Sequence, residues 1–181
     1  FLRKQGRCFE AGVMALLANE FQIVTIAEWS GDAAREDLRD AALRAMEEGA
    51  EIIAQGVLWD DARKAYGIPD LLVRSDVIDR LVETPVLTPA ERQLPTHYRV
   101  VDIKFTTLDL NAKGFLANDS SDRRKKAQLL VYNRALAAAQ GYEPPVAYLL
   151  GRSWKQKLNL YQIEKIKWKW MDQKNIPSLI G

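Results

Sequence analysis

Cysteine and histidine are nearly missing from this chain: Cys8 and His97 stand alone among 181 residues. A single cysteine excludes an internal disulfide and any four-cysteine zinc or iron–sulfur site. One histidine excludes a multi-histidine metal centre. Any metal therefore has to be held by oxygen, which favours Mg²⁺ or Mn²⁺ over zinc. No apolar run approaches the roughly 18–20 residues of a membrane span. No basic segment followed by a hydrophobic stretch heads the chain, so an intracellular protein of the cytoplasm or nucleoid, away from membranes, is expected. Excess charge is missing too: 26 Lys and Arg against 24 Asp and Glu leave +2, so bulk charge names no partner. The chain opens at Phe1 rather than Met and is expected to be a module of something longer.

What is present suits one domain with a sizeable core, since 48% of the residues are hydrophobic and 28% charged. Residues 7–20 place Phe9, Val13, Leu16 and Leu17 at helical spacing, with Glu10 bordering the apolar face. "FQIVTIAEW" reads as a short strand. "SGDAAREDLRDAALRAMEEGA" reads as one helix, capped by Ser30 or Asp32, lined by Ala34, Leu38, Ala41 and Ala45, and stopped at Gly49. "EIIAQGVLW" and "GIPDLLVRSDVI" are strand-like runs, joined through "DDARKAY" as a hairpin. Residues 80–97, with Pro85, Pro89 and Pro95, read as a loop. The strand "YRVVDIKFTT", a polar connection over 106–121, a helix at about 122–140 and the strand "PVAYLLGR" complete the domain over residues 1–152. The order helix, three strands, helix, strand fits an α/β or α+β sandwich around a mixed sheet. Beyond Arg152, lysine replaces arginine and is interleaved with Trp154, Tyr161, Trp168 and Trp170. Residues 153–181 are thus a basic, aromatic extension, either packed on the domain or leading to a further one. Its rings either stack on single-stranded bases or pack as an amphipathic segment.

Residues 98–107, "YRVVDIKFTT", carry the chemistry. Side chains alternate along a strand, so Asp102 and Lys104 point the same way from a mostly apolar element. Asp70 opens the strand "DLLV". If that strand lies beside 98–105, Asp70 and Asp102 converge on one cation, with a backbone carbonyl and waters completing a Mg²⁺ shell. Two carboxylates so close repel unless a cation lies between them. Lys104, one pleat along, reaches a water or phosphate oxygen beside that ion. A same-face surface ion pair is the plainer reading of Asp102 and Lys104. The run Arg123, Arg124, Lys125, Lys126 opens the next helix, where it either meets a phosphate backbone or forms a solvated basic face. Its charge opposes the helix dipole there.

"GIPD", "VVDIK" and "QLLVY" resemble the Gly-x-x-Asp, Asp-x-Lys and Gln-x-x-x-Tyr motifs of the RecB type of PD-(D/E)XK nuclease, and "QGRCFE" resembles that family's first motif. The likeness covers about residues 5–152. It implies an α/β, restriction-endonuclease-like core with a mixed central sheet flanked by helices. It also implies Mg²⁺- or Mn²⁺-dependent hydrolysis of DNA, in repair, recombination or defence. By this resemblance Asp70 and Asp102 bind the metal, the Ile103 carbonyl completes its shell, and Glu10 is either an accessory ligand or orients a water. Lys104 aligns the attacking water, while Gln128 and Tyr132, four apart on one helical face, shape the site. The cysteines that frame the core in iron–sulfur relatives are lacking, so no cluster is expected. Exonuclease or endonuclease action, single-stranded or duplex DNA, and one metal or two stay open. A nuclease fold that has lost hydrolysis and only binds DNA or a partner is the alternative.

Overall fold

Alternation along extended backbone sets the layers of this protein. The computed structural model describes residues 2–82, 86–112, 115–117, 120–156 and 178–180. In chain order the elements are α1 (Leu2–Ala18), β1 (Ile23–Thr25), α2 (Glu36–Glu47), β2 (Ile52–Ala54), β3 (Leu58–Asp60), β4 (Ala65–Gly67), β5 (Leu71–Arg74), α3 (Ser75–Leu81), β6 (Tyr98–Leu110), α4 (Ser120–Gln140), β7 (Tyr148–Gln156) and β8 (Ser178–Ile180). Six strands form one sheet in the order β1-β2-β5-β6-β7-β8, and β3 pairs with β4 in a separate hairpin. The sheet is mixed, with β1/β2 and β6/β7 parallel and the other neighbours antiparallel. Ile53, Leu72, Val100 and Leu149 pack on one face against α2 and α4, through Met46, Leu129 and Leu136. Their neighbours Ile52, Leu71, Val101 and Leu150 go to the other face, against Val13 of α1 and Val77 and Ile78 of α3. The result is an α/β fold with a mixed central sheet between helices. Among the described residues, no helix is long and apolar enough to cross a membrane.

Several elements differ from expectation for local reasons. "EIIAQGVLW" is two strands, because Gln55 turns to φ +52 and ends β2. "SDVI" is helical: Ser75, Val77 and Ile78 are buried at the start of α3. The helix expected from Ser30 is a 3₁₀ turn over Ser30–Ala34 followed by α2, with Arg35 extended between them. Neither Ser30 nor Asp32 caps α2; Glu36 and Asp37 instead place negative charge in its first turn. Its buried residues are Ala42, Ala45 and Met46, and Gly49 follows at φ +75. Leu16 lies at the edge of the α1 stripe and is 52% exposed. β6 runs through Leu110, where a polar connection was expected, because Leu108 and Leu110 are buried. β7 likewise continues past Arg152, pairing Ser153–Gln156 with Thr107–Leu110. Trp154 there packs against the core, and Lys155 pairs with Asp109 at 3.1 Å. Tyr161, Trp168 and Trp170 lie outside the described residues.

β6 is held at its start by a buried ion pair. Arg99 is fully buried and bonded to Glu91, while its Nη1 also donates to the Val146 carbonyl at 3.3 Å. Thr88 and Glu91 form a reciprocal capping box, with bonds of 2.9 and 3.2 Å, and the Tyr142 hydroxyl donates to Glu91 at 2.9 Å. The Pro-rich segment is thereby clamped onto the sheet. Leaving Arg99 buried without its partner is costly. Glu91→Leu is expected to lower unfolding free energy by about 3–5 kcal/mol in chemical denaturation. Removing the exposed Arg35–Asp37 pair by Arg35→Ala should leave stability nearly unchanged, because solvent screens it. Equal losses would show that the clamp does not stabilise β6.

Candidate active site

The register of two strands brings the carboxylates together. β5 and β6 pair from Arg74↔Tyr98 to Leu71↔Val101, and the next positions along would be Asp70 and Asp102. There the backbone ladder ends. The Ile103 N–H donates to Asp70 Oδ2 at 2.6 Å, and the Gln55 N–H donates to the Asp70 carbonyl at 3.0 Å. The Ile103 expectation concerned its carbonyl; the contact seen is made by its N–H. Asp102 is only 1% exposed, and its Oδ2 lies 2.6 Å from Lys104 Nζ, close as an ion pair though not aligned as a hydrogen bond. An extra residue in β6 between Lys104 and Thr107 breaks the register with β7 immediately beyond the lysine.

Burial, and then the negative charge of Asp70, push the Asp102 carboxyl up to about 7; the Lys104 ammonium pulls the other way. Burial alone would depress the Lys104 ammonium, but Asp102 and then Asp70 hold it above its ordinary value. Burial and the Asp70 charge raise Glu10 as well. Glu10 approaches from α1, on the opposite face from α4, and is linked to Asp70 through Gln55. Gln55 was not singled out in the sequence, although it stands within the strand-like run "EIIAQGVLW".

Gln128 and Tyr132 share a face of α4 as their spacing requires, and Gln128 Nε2 donates to the Tyr132 hydroxyl at 2.8 Å. Burial chiefly raises the Tyr132 hydroxyl; the charges of Asp102, Lys104 and Asp70 also reach it, which places it beside the site. Its ring passes over Gly67, where an added Cβ would lie 2.4 Å from Tyr132 Cε1. The glycine of "GIPD" is thus a clearance for the tyrosine.

The basic run divides. Arg123 and Arg124 are exposed, but Lys125 pairs with buried Asp122 at 2.7 Å and Lys126 donates to the Leu116 carbonyl at 2.8 Å. Only the two arginines of this run point outward, and Asp122 offsets the charge in the first turn of α4. Cys8 is a free, exposed thiol, and His97 is buried edge-on to Tyr142.

Among the described residues, no group of three or more His, Cys, Asp or Glu side chains is arranged to hold a metal ion. Two carboxylates are nonetheless a fit for Mg²⁺ or Mn²⁺: Mg²⁺ is commonly held by one or two carboxylates and keeps several waters. Asp70 and Asp102 both offer oxygen to an ion, and Asp102 carries the cost of an acid desolvated beside another. No protein-family model matches the chain, and neither a curated protein nor a solved structure matches it.

Asp102 gives a signed pH dependence. In metal-free protein the folded carboxyl keeps its proton up to about 7, whereas its ordinary value is 3.8. The folded state therefore binds more protons in that window, and this contribution to stability falls as pH rises through it. In EDTA, the melting temperature of Asp102→Asn is expected to gain on that of the parent from about pH 4 to pH 7 and to keep its lead above. Parallel curves would contradict the buried repulsion. Gly67→Ala is expected to displace the Tyr132 ring and destabilise the fold by about 1–3 kcal/mol, as overpacking does. Adding Tyr132→Leu should recover most of that loss in denaturation; an additive double variant would refute the contact.

Proposed function

We infer that this domain is a metal-dependent deoxyribonuclease with the restriction-endonuclease-like core of the RecB type of PD-(D/E)XK nuclease. The observation that carries the reading is Asp102: a carboxylate buried in a central strand, with Asp70 across the gap and the Lys104 ammonium at 2.6 Å. Burying an ion pair seldom gains stability over apolar residues of similar size. Adding a second carboxylate makes the arrangement worse for folding and better for holding a cation. With β1, α2, the β3–β4 hairpin and α3 set aside, α1, β2, β5, β6, α4 and β7 keep the helix, three strands, helix, strand order read from the sequence, which is compatible with such a core.

Asp70 and Asp102 would hold the divalent ion, which supplies charge to polarise the scissile phosphate and to acidify a water. Lys104 then orients that water and offsets charge growing on the phosphate oxygens. Water oxygen bonds to phosphorus as the bond to the 3′-oxygen breaks, leaving a 5′-phosphate end. Glu10, joined to Asp70 through Gln55, would add an accessory oxygen to that ion or orient the water, whose proton passes to solvent as the 3′-oxygen takes one up. The Gln128–Tyr132 pair lines the α4 side, and Arg123 and Arg124 offer the outward charge nearest the start of that helix.

The test is cleavage of single-stranded, duplex and forked DNA with Mg²⁺, with Mn²⁺ and with EDTA. The parent should cut only with metal. Asp102→Asn and Lys104→Ala should each lose at least about 100-fold in rate, the scale of losing one electrostatic stabiliser of the transition state. Calorimetry should find Mn²⁺ binding weakened in Asp102→Asn and kept in Lys104→Ala, since a nearby cation opposes the metal. Parental cleavage by both variants, or a parent that binds DNA and never cuts it, sinks the reading.

A further inference from the structure

Gln55 follows β2 at φ +52, in the left-handed region that residues other than glycine seldom adopt. Two hydrogen bonds fix the backbone there: its N–H donates to the Asp70 carbonyl at 3.0 Å, and its carbonyl accepts from the Ala27 N–H at 3.2 Å. The side chain ends between two acids. Its Nε2 donates to Glu10 Oε1 at 3.1 Å and to Asp70 Oδ1 at 3.4 Å. Only the amino end of an amide can face two carboxylates, so chemistry fixes the orientation. The residue type matters as well. A lysine there would compete with a metal for the same charge, and an acid would add to the repulsion that already raises Glu10 and Asp102. A neutral donor links the acids and leaves their charge for the cation.

We propose that Gln55 is a positioning residue for the metal site: it ties the Glu10 carboxylate of α1 to Asp70 and sets the spacing at which both face a divalent cation. The cation rests on the nuclease reading; the two hydrogen bonds do not. The strained backbone is what aims the amide. An amide on an ordinary strand residue at this place would follow the alternation of β2 into one of the two cores.

Gln55→Gly separates positioning from folding, because glycine suits the left-handed conformation while lacking the amide. Its melting temperature should equal or exceed that of the parent. In Mn²⁺ titrations followed by calorimetry, its affinity should fall about 10–100-fold, the usual loss when an outer partner of a metal ligand is removed. Gln55→Asn, also at ease in this conformation but one methylene short, should bind as weakly. Parental Mn²⁺ affinity in Gln55→Gly overturns the proposal. A second measurement needs no metal: in EDTA, Glu10→Gln and Asp70→Asn should each shift the side-chain amide proton resonances of Gln55. Unmoved resonances overturn it too. Shifted resonances in a protein that binds no Mn²⁺ would uphold the link from Gln55 to both carboxylates and defeat the nuclease reading instead.

Discussion

Asp70 and Asp102 meet where the last backbone pair of β5 and β6 gives out, and their mutual repulsion shapes what surrounds them. At Asp70 the chain answers with neutral donors: the Ile103 N–H donates to one carboxylate oxygen at 2.6 Å and the Gln55 amide to the other at 3.4 Å. At Asp102 it answers with a full charge, the Lys104 ammonium. Even so, burial and Asp70 leave the Asp102 carboxyl raised to about 7. Elsewhere in the fold, acids that meet a dedicated partner go the other way. Asp60, hydrogen-bonded to Arg63, and Asp76, hydrogen-bonded to Arg74, are both lowered. The contrast singles out the gap beside β6 as the place where negative charge is in surplus.

A surplus of this kind needs a stiff frame, since two acids on loose elements would swing apart. Residues along β6 supply it on both sides of the site. Arg99 and Glu91 lock its start, and Tyr98 is tied by its hydroxyl to the Ala50 carbonyl at 2.8 Å and by its N–H to Gln140 at 2.8 Å. Beyond Lys104 the strand continues against β7 to Leu110. The site therefore sits in the middle of β6, the longest strand among the described residues, with α1 bringing Glu10 from one face and α4 bringing Tyr132 from the other.

How much of this is legible in the sequence depends on how far apart the cooperating residues lie. The shared direction of Asp102 and Lys104 follows from a period of two, and that of Gln128 and Tyr132 from a spacing of four. Nearness of Asp70 to Asp102 follows once the two strands are taken as neighbours. Gln55 escaped notice because it acts through a left-handed backbone in a short break between strands, which no periodicity marks. The need for Gly67 arises from Tyr132, far along the chain. Lys125 and Lys126 look like free charge in the sequence, yet the fold turns one toward buried Asp122 and the other toward the Leu116 carbonyl. The Glu91–Arg99 clamp was hidden because a Pro-rich segment folds back on its own following strand.

The central claim is that the gap between Asp70 and Asp102 is a cation site. Diffraction from crystals grown in Mn²⁺, recorded at the manganese absorption edge, addresses it directly. The account predicts an anomalous peak bonded to both carboxylates at about 2.0–2.2 Å, near the Mg²⁺ distance, with Lys104 Nζ drawn away from Asp102 Oδ2. An empty gap at saturating Mn²⁺, with the Lys104–Asp102 pair still closed at 2.6 Å, would contradict it.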